Sequence, residues 1–98
     1  MVWRFMKRYE IDYSTKAEND IKKHLKSGDE QTIKKLNQLI KELQIHPRKG
    51  EGKPRYINYK GQKLWRRNIS DKHRLLYRID DGIVTVIVAQ AWGHYQDK

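Results

Sequence analysis

The feature that most constrains this chain is a series of short β-branched and aromatic runs, punctuated by turn residues, from Leu64 to Tyr95. The runs LWRRNIS and HRLLYRID are joined by Asp71-Lys72, and Asp80-Asp81-Gly82 leads into the apolar run IVTVIVAQA. Segments too short for helices, each closed by Asp, Lys or Gly, specify an antiparallel meander. The longest apolar stretch, Ile83 to Ala91, is broken by Thr85 and Gln90 and is too short to span a bilayer, so no membrane partner is expected. A meander with one apolar face needs a cover, and the upstream sequence supplies one.

That cover is helical. Thr15 and Glu18 form a T-x-x-E capping box that opens a helix running to about Lys26, with Ala17, Ile21, His24 and Leu25 on one stripe. Ser27-Gly28-Asp29 ends it, and Asp29 suits the cap of a second helix. There Ile33, Leu36, Leu39, Ile40 and Leu43 recur at helical spacing, and Pro47 stops the pattern. Ahead of both helices Tyr9, Ile11 and Tyr13 alternate with Glu10 and Asp12, as in a strand with one buried face. Arg55 to Tyr59 forms a short strand before the meander. The order β-α-α-β-β-β-β predicts one α+β domain over residues 1–98: an N-terminal strand, a two-helix hairpin, then an antiparallel sheet of about four strands. Residues 1–8 read as an N-terminal extension. The absence of cysteine leaves neither a disulfide framework nor a thiolate metal site, and MVWRFMKR has no continuous apolar core of a secretory signal; a cytoplasmic location is expected.

Charge narrows the function. Twenty-two Lys and Arg against twelve Asp and Glu leave a formal net charge of +10. Between Arg48 and Arg78 only Glu51 and Asp71 oppose eleven basic residues. Such a block on a folded scaffold implies a polyanion partner, most simply nucleic acid. No basic amphipathic helix carries the excess, which disfavours a membrane surface. The loop RKGEGKP, Arg48 to Pro54, brings Lys49 and Lys53 beside two glycines, where backbone N–H groups can approach a phosphate, although it lacks P-loop spacing. On the meander, Arg66 shares a strand face with Asn68 while Arg67 takes the other; Arg74 and Arg78 share a face opposite His73, Leu75 and Tyr77. At least one arginine from each strand therefore meets on the face away from the helices. Arg66, Arg67, Arg74 and Arg78 are the candidate phosphate contacts, because a planar fork binds two oxygens and stays charged.

His94, beside Tyr95 and after a central strand, is the natural proton carrier near neutral pH, although a lone histidine is commonly structural. His24 and His46 read as structural, and His73 stays open. The four histidines lack a metal-ligand spacing and no carboxylate cluster accompanies them, so no metal or other cofactor is expected. Trp65 is assigned to the core, whereas Trp92 suits either packing or base stacking.

Taken together, Glu51-Gly52-Lys53-Pro54, Leu64-Trp65-Arg66-Arg67, His73-Arg74-Leu75-Leu76-Tyr77 and His94-Tyr95 resemble the YoeB/Txe toxins of the RelE superfamily, the mRNA interferases of bacterial type II toxin-antitoxin systems. The likeness runs from Tyr9 onward. Met6-Lys7 fits the start of such toxins, which makes residues 1–5 an extension or a start-site choice. The resemblance implies a compact RelE-like fold, similar to microbial ribonucleases, and a ribosome-dependent, metal-independent endoribonuclease in which the RNA's own 2′-OH attacks the adjacent phosphate. It implies as partners mRNA in the ribosomal A site, 16S and 23S rRNA, an acidic YefM/Phd-like antitoxin, and a homodimer as one assembly. The family's catalytic arginine falls on Arg74, its general acid on His94 and its terminal tyrosine on Tyr95. Two positions depart from the pattern. Arg55 stands where the family's general-base glutamate follows Lys-Pro, leaving Glu51 as one substitute base, and Asn68 stands at a second family arginine, for which Arg66 can substitute. Two other readings stay open: a non-catalytic RNA- or ribosome-binding module, and a DNA-binding protein, disfavoured by the lack of a basic recognition helix.

Overall fold

Each helix begins where a side chain can reach its unsatisfied N–H groups. In the computed structural model, which describes residues 8–80 and 82–89, α1 spans Thr15–Ser27 and α2 spans Glu30–Leu43. The cap of α1 is Ser14, one residue earlier than the expected box: Ser14 Oγ accepts from Ala17 N at 3.0 Å and donates to Ile87 O at 2.7 Å. Ser14 wins because its hydroxyl serves the helix and the sheet at once, which the side chain of Thr15 in the first turn does not. Gly28, at φ 76°, closes α1 in the left-handed region, and Asp29 caps α2 through Thr32 N at 3.2 Å.

The strands are β1 (Glu10–Tyr13), β2 (Arg55–Tyr59), β3 (Gln62–Asn68), β4 (Arg74–Asp80) and β5 (Ile83–Val88), in one sheet of order β1-β5-β4-β3-β2. β2 to β5 form the expected antiparallel meander, and β1 adds to the edge of β5 in parallel. The chain is thus the α+β arrangement that its pattern predicts, with the sheet closed by one parallel pairing.

Leu36, Leu39 and Leu43 of α2 and Ala17 of α1 pack on Leu75, Tyr77, Val84 and Val86, all buried. Burying each large apolar side chain stabilises the fold by about 1.5–3 kcal/mol, and this contact fixes the helices over one face of the sheet. Trp65, half-buried against the same cluster, is a core residue as expected. The registers Arg66↔Leu76 and Asn68↔Arg74 place those side chains on the opposite face, with a smaller apolar cluster of Leu64, Leu76 and Val88. Among the described residues, no helix is long and apolar enough to cross a membrane.

Candidate active site

Where the β3–β4 hairpin meets the loop after α2, the surface opens into a cleft of about 520 Å³ lined by Lys35, Gly50, Glu51, Gly52, Lys53, Asn68, Ile69, Ser70, Asp71 and Arg74. Three of the residues singled out from sequence, Glu51, Lys53 and Arg74, meet there. Arg74 Nη1 lies over its own hairpin turn, donating to Ser70 O at 2.7 Å, His73 O at 3.1 Å and Asp71 O at 3.2 Å. These bonds orient the guanidinium and leave Nε and Nη2 without partners among the described residues, the part of the fork that a phosphate oxygen can accept from. Lys53, at φ 52°, holds an exposed ammonium at the rim. Asn68 adds a buried Oδ1 that has no hydrogen-bond partner among the described residues.

Glu51 is a carboxylate of the cleft paired with a cation. Its Oε1 lies 3.4 Å from Lys35 Nζ, and its side chain is 57% exposed, so it remains open to a ligand. Lys35 comes from α2, sixteen residues away in sequence. The other described candidates fall outside the cleft lining. Arg55 is exposed on β2 and pairs in register with the half-buried Arg66, so the two cations share the open face of the sheet. Lys49 is exposed within the loop between α2 and β2. Arg78 sits at the far end of β4 opposite Thr85 and pairs with Asp80 at 2.8 Å. Trp92, His94 and Tyr95 lie outside the described residues.

Arg67 overturns its assignment as a phosphate contact. It has no exposed surface, and all five of its N–H groups find acceptors inside the protein: Tyr77 Oη, Glu42 Oε1 and the backbone carbonyls of Glu51, His46 and Lys49. The Tyr77 hydroxyl passes the chain on to Pro47 O at 2.6 Å. Burial pushes the Tyr77 phenol above its ordinary pKa, while the Arg67 hydrogen bond and charge pull it back. The strand alternation already set Arg67 against Arg66, on the side of Trp65, and that parity is the signal that it points under the helices.

A second buried group sits behind the hairpin. Asp20 Oδ2 accepts from Ala89 N at 3.1 Å and His24 Nε2 bonds Ala89 O at 2.8 Å, so α1 holds both polar groups of one residue at the end of β5. The His24 ring meets His73 edge-on at 4.7 Å. Burial, and then the charge of His24, holds the His73 imidazole below its ordinary pKa. Among the described residues no cluster of three or more His, Asp or Glu can hold a metal ion.

Two helices over one face of a five-stranded sheet, with a cation-lined cleft at the hairpin end, define a RelE-like toxin fold. The archaeal RelE–RelB complex from Pyrococcus horikoshii contains a chain that superposes with a TM-score of 0.66 over 89% of this chain and 98% of that one, at 15% identity, which shows the fold alone. The likeness to one branch is far closer. The YoeB dimer from Staphylococcus aureus matches with a TM-score of 0.74 and 29% identity, covering 90% of this chain and 99% of that one. Toxin YoeB of Escherichia coli K12 is 34% identical over 67 residues, 68% of this chain and 77% of the relative. Toxin RelK of Mycobacterium tuberculosis is 38% identical over 64 residues, 65% of this chain and 75% of the relative. Residues 13–95 match the profile of the YoeB-like toxins of bacterial type II toxin-antitoxin systems, and the chain belongs to that family.

Proposed function

We propose that this toxin is a ribosome-dependent mRNA endoribonuclease that cleaves by attack of a 2′-OH on the adjacent phosphorus. The observation that carries the reading is the meeting of Arg74, Lys53 and Glu51 in one open cleft. In the step, the 2′-oxygen forms a bond to phosphorus, the bond from phosphorus to the 5′-oxygen breaks, and a 2′,3′-cyclic phosphate and a 5′-OH result. Negative charge grows on the phosphorane oxygens, and Arg74 with Lys53 stabilises it. Glu51 takes the 2′-OH proton, because Arg55 at the family's base position cannot accept one near neutral pH. Arg55, with Arg66 across the strand pair, binds the flanking phosphates instead. By family resemblance His94 returns a proton to the departing 5′-oxygen and Tyr95 supports it.

The substrate is mRNA in the ribosomal A site, with ribosomal RNA providing the docking surface for a protein of net charge +10. An acidic antitoxin neutralises the toxin in the cell. Supporting that partner, the S. aureus relative is known in a heterotetrameric YoeB–YefM toxin-antitoxin complex, whose matching chain is 29% identical with a TM-score of 0.72.

The reading is tested by inducing the wild type and Arg74→Ala in bacteria while following growth and mapping mRNA 5′ ends. Wild-type toxin should arrest growth and create new 5′ ends within translated codons. Arg74→Ala should remove about 10²–10³-fold of the cleavage, the usual effect of losing one oxyanion donor. Growth arrest without new ends would favour a non-catalytic ribosome binder.

A further inference from the structure

The loop from Gln44 to Pro54 carries Glu51 and Lys53 yet belongs to no helix or strand. A loop that delivers catalytic groups needs its backbone held, and the carbonyls of His46, Pro47, Lys49 and Glu51 all find their acceptor role filled by two buried side chains, Arg67 and Tyr77. Glu42, at the end of α2, completes the hold. Its Oε1 accepts from Arg67 Nη1 at 2.8 Å and from the Glu51 backbone N at 3.0 Å. A Cβ at Gly50 would come within 2.2 Å of the same oxygen, so the loop is drawn onto Glu42 as closely as a glycine permits.

We infer that Arg67 and Glu42 form an internal clasp whose function is to position the Glu51 carboxylate against the cleft, making both of them positioning residues for the cleavage step. The inference rests on the reading of Glu51 as the base. The chemistry favours arginine for this task. Five donors in a rigid plane can hold five acceptors from α2, β4 and the loop in one geometry, whereas a lysine offers three donors on a flexible stem. The same buried guanidinium touches no substrate. Its effect on rate passes through the loop, and this separates it from Arg74, which faces the cleft.

Removing a buried arginine endangers folding itself, so Arg67→Lys is accompanied by two variants that keep the arginine. Glu42→Ala cuts the link from Arg67 to the Glu51 amide, and Gly50→Ala forces the loop and the Glu42 carboxylate apart while keeping both side chains. Glu42→Gln keeps the accepting oxygen and serves as the rescue. Single-turnover cleavage of mRNA on programmed ribosomes is measured with saturating toxin, in wild-type and Glu51→Gln backgrounds. Hydrogen exchange at the Glu51 amide is followed in parallel. Glu42→Ala and Gly50→Ala should each lower the single-turnover rate by about 10²-fold, the scale of a misplaced catalytic group. Half-saturation of ribosome binding should stay unchanged, and Glu42→Gln should stay near wild type. In the Glu51→Gln background the same changes should cost nothing further, because residues acting through one carboxylate are not additive. The Glu51 amide should exchange faster in Glu42→Ala. Losses that add to Glu51→Gln, or unchanged exchange, would overturn the clasp as a positioning device. If wild-type toxin leaves mRNA intact, the cleavage reading fails, and the exchange comparison still decides whether Arg67 and Glu42 hold the loop.

Discussion

Tyr77→Phe removes one oxygen atom and, with it, two buried hydrogen bonds. The Tyr77 hydroxyl accepts from Arg67 Nε at 3.0 Å and donates to Pro47 O at 2.6 Å, and the residue has no exposed surface. A hydrogen bond to a charged group contributes about 1.5–3 kcal/mol, and a buried carbonyl left without a donor costs about 1–3 kcal/mol. Partial relaxation of the loop recovers some of that sum, and a net loss of about 3 kcal/mol is expected. That is a large share of the roughly 5–15 kcal/mol available to a domain of this kind. At about 4–8 °C per kcal/mol for a chain of this size, Tm should fall by roughly 12–24 °C. Urea titration is the assay, read as a lower midpoint at constant slope. Tyr56→Phe is the control, since Tyr56 is 62% exposed and should move by less than about 0.5 kcal/mol. A Tyr77→Phe loss below about 1 kcal/mol would show that the hydroxyl holds neither Arg67 nor the loop, and the clasp would lose its inner anchor.

Two further outcomes are expected. The folded state holds the His73 imidazole below its ordinary pKa of about 6.5, by burial first and then by His24, with Lys72 adding and Asp29 and Asp20 opposing. Its contribution to stability is therefore complete only well above pH 6.5 and is lost as acidification drives the unfolded chain to take up the proton first, so the urea midpoint should fall as pH drops from about 7.5 through 6.5, less steeply in His73→Gln; a wild-type midpoint that rises on acidification counts against this assignment. Binding to single-stranded RNA should weaken with salt at a log–log slope of about −0.7 per neutralised phosphate, and a flat titration would remove the electrostatic basis of the interface.

The order of elements is legible because each boundary carries a residue with a local reason to be there: Gly28 and Asp29 between the helices, Pro47 beyond α2, Lys60-Gly61 and Asp71-Lys72 in the hairpins. The stripe of Leu36, Leu39 and Leu43 was equally plain, since helical spacing and burial impose the same pattern. Ser14 displaced Thr15 as cap for a reason invisible to local reading, its second bond to Ile87 across the fold. The parallel pairing of β1 with β5 is likewise a tertiary choice, as alternation says which face is buried and nothing about which edge is joined. The cleft brings together Arg74 and Glu51, both singled out from residue type and resemblance, but Lys35 reaches Glu51 only through the packing of α2. Arg67 was misread because arginine is rarely buried and composition favours exposure. What composition cannot reveal is that an eleven-residue loop without secondary structure must find donors for its own carbonyls.

Cleavage of a programmed ribosome's mRNA by saturating toxin tests the chemistry at the cleft most directly. Wild-type toxin should cut once in the A-site codon and leave a 2′,3′-cyclic phosphate and a 5′-OH. Glu51→Gln should slow the single turnover by about 10²–10⁴-fold, and adding Arg55→Glu to that variant should restore part of the rate by returning a carboxylate at the family's base position. Intact mRNA, products ending in a 3′-OH, or a Glu51→Gln rate equal to wild type would contradict it.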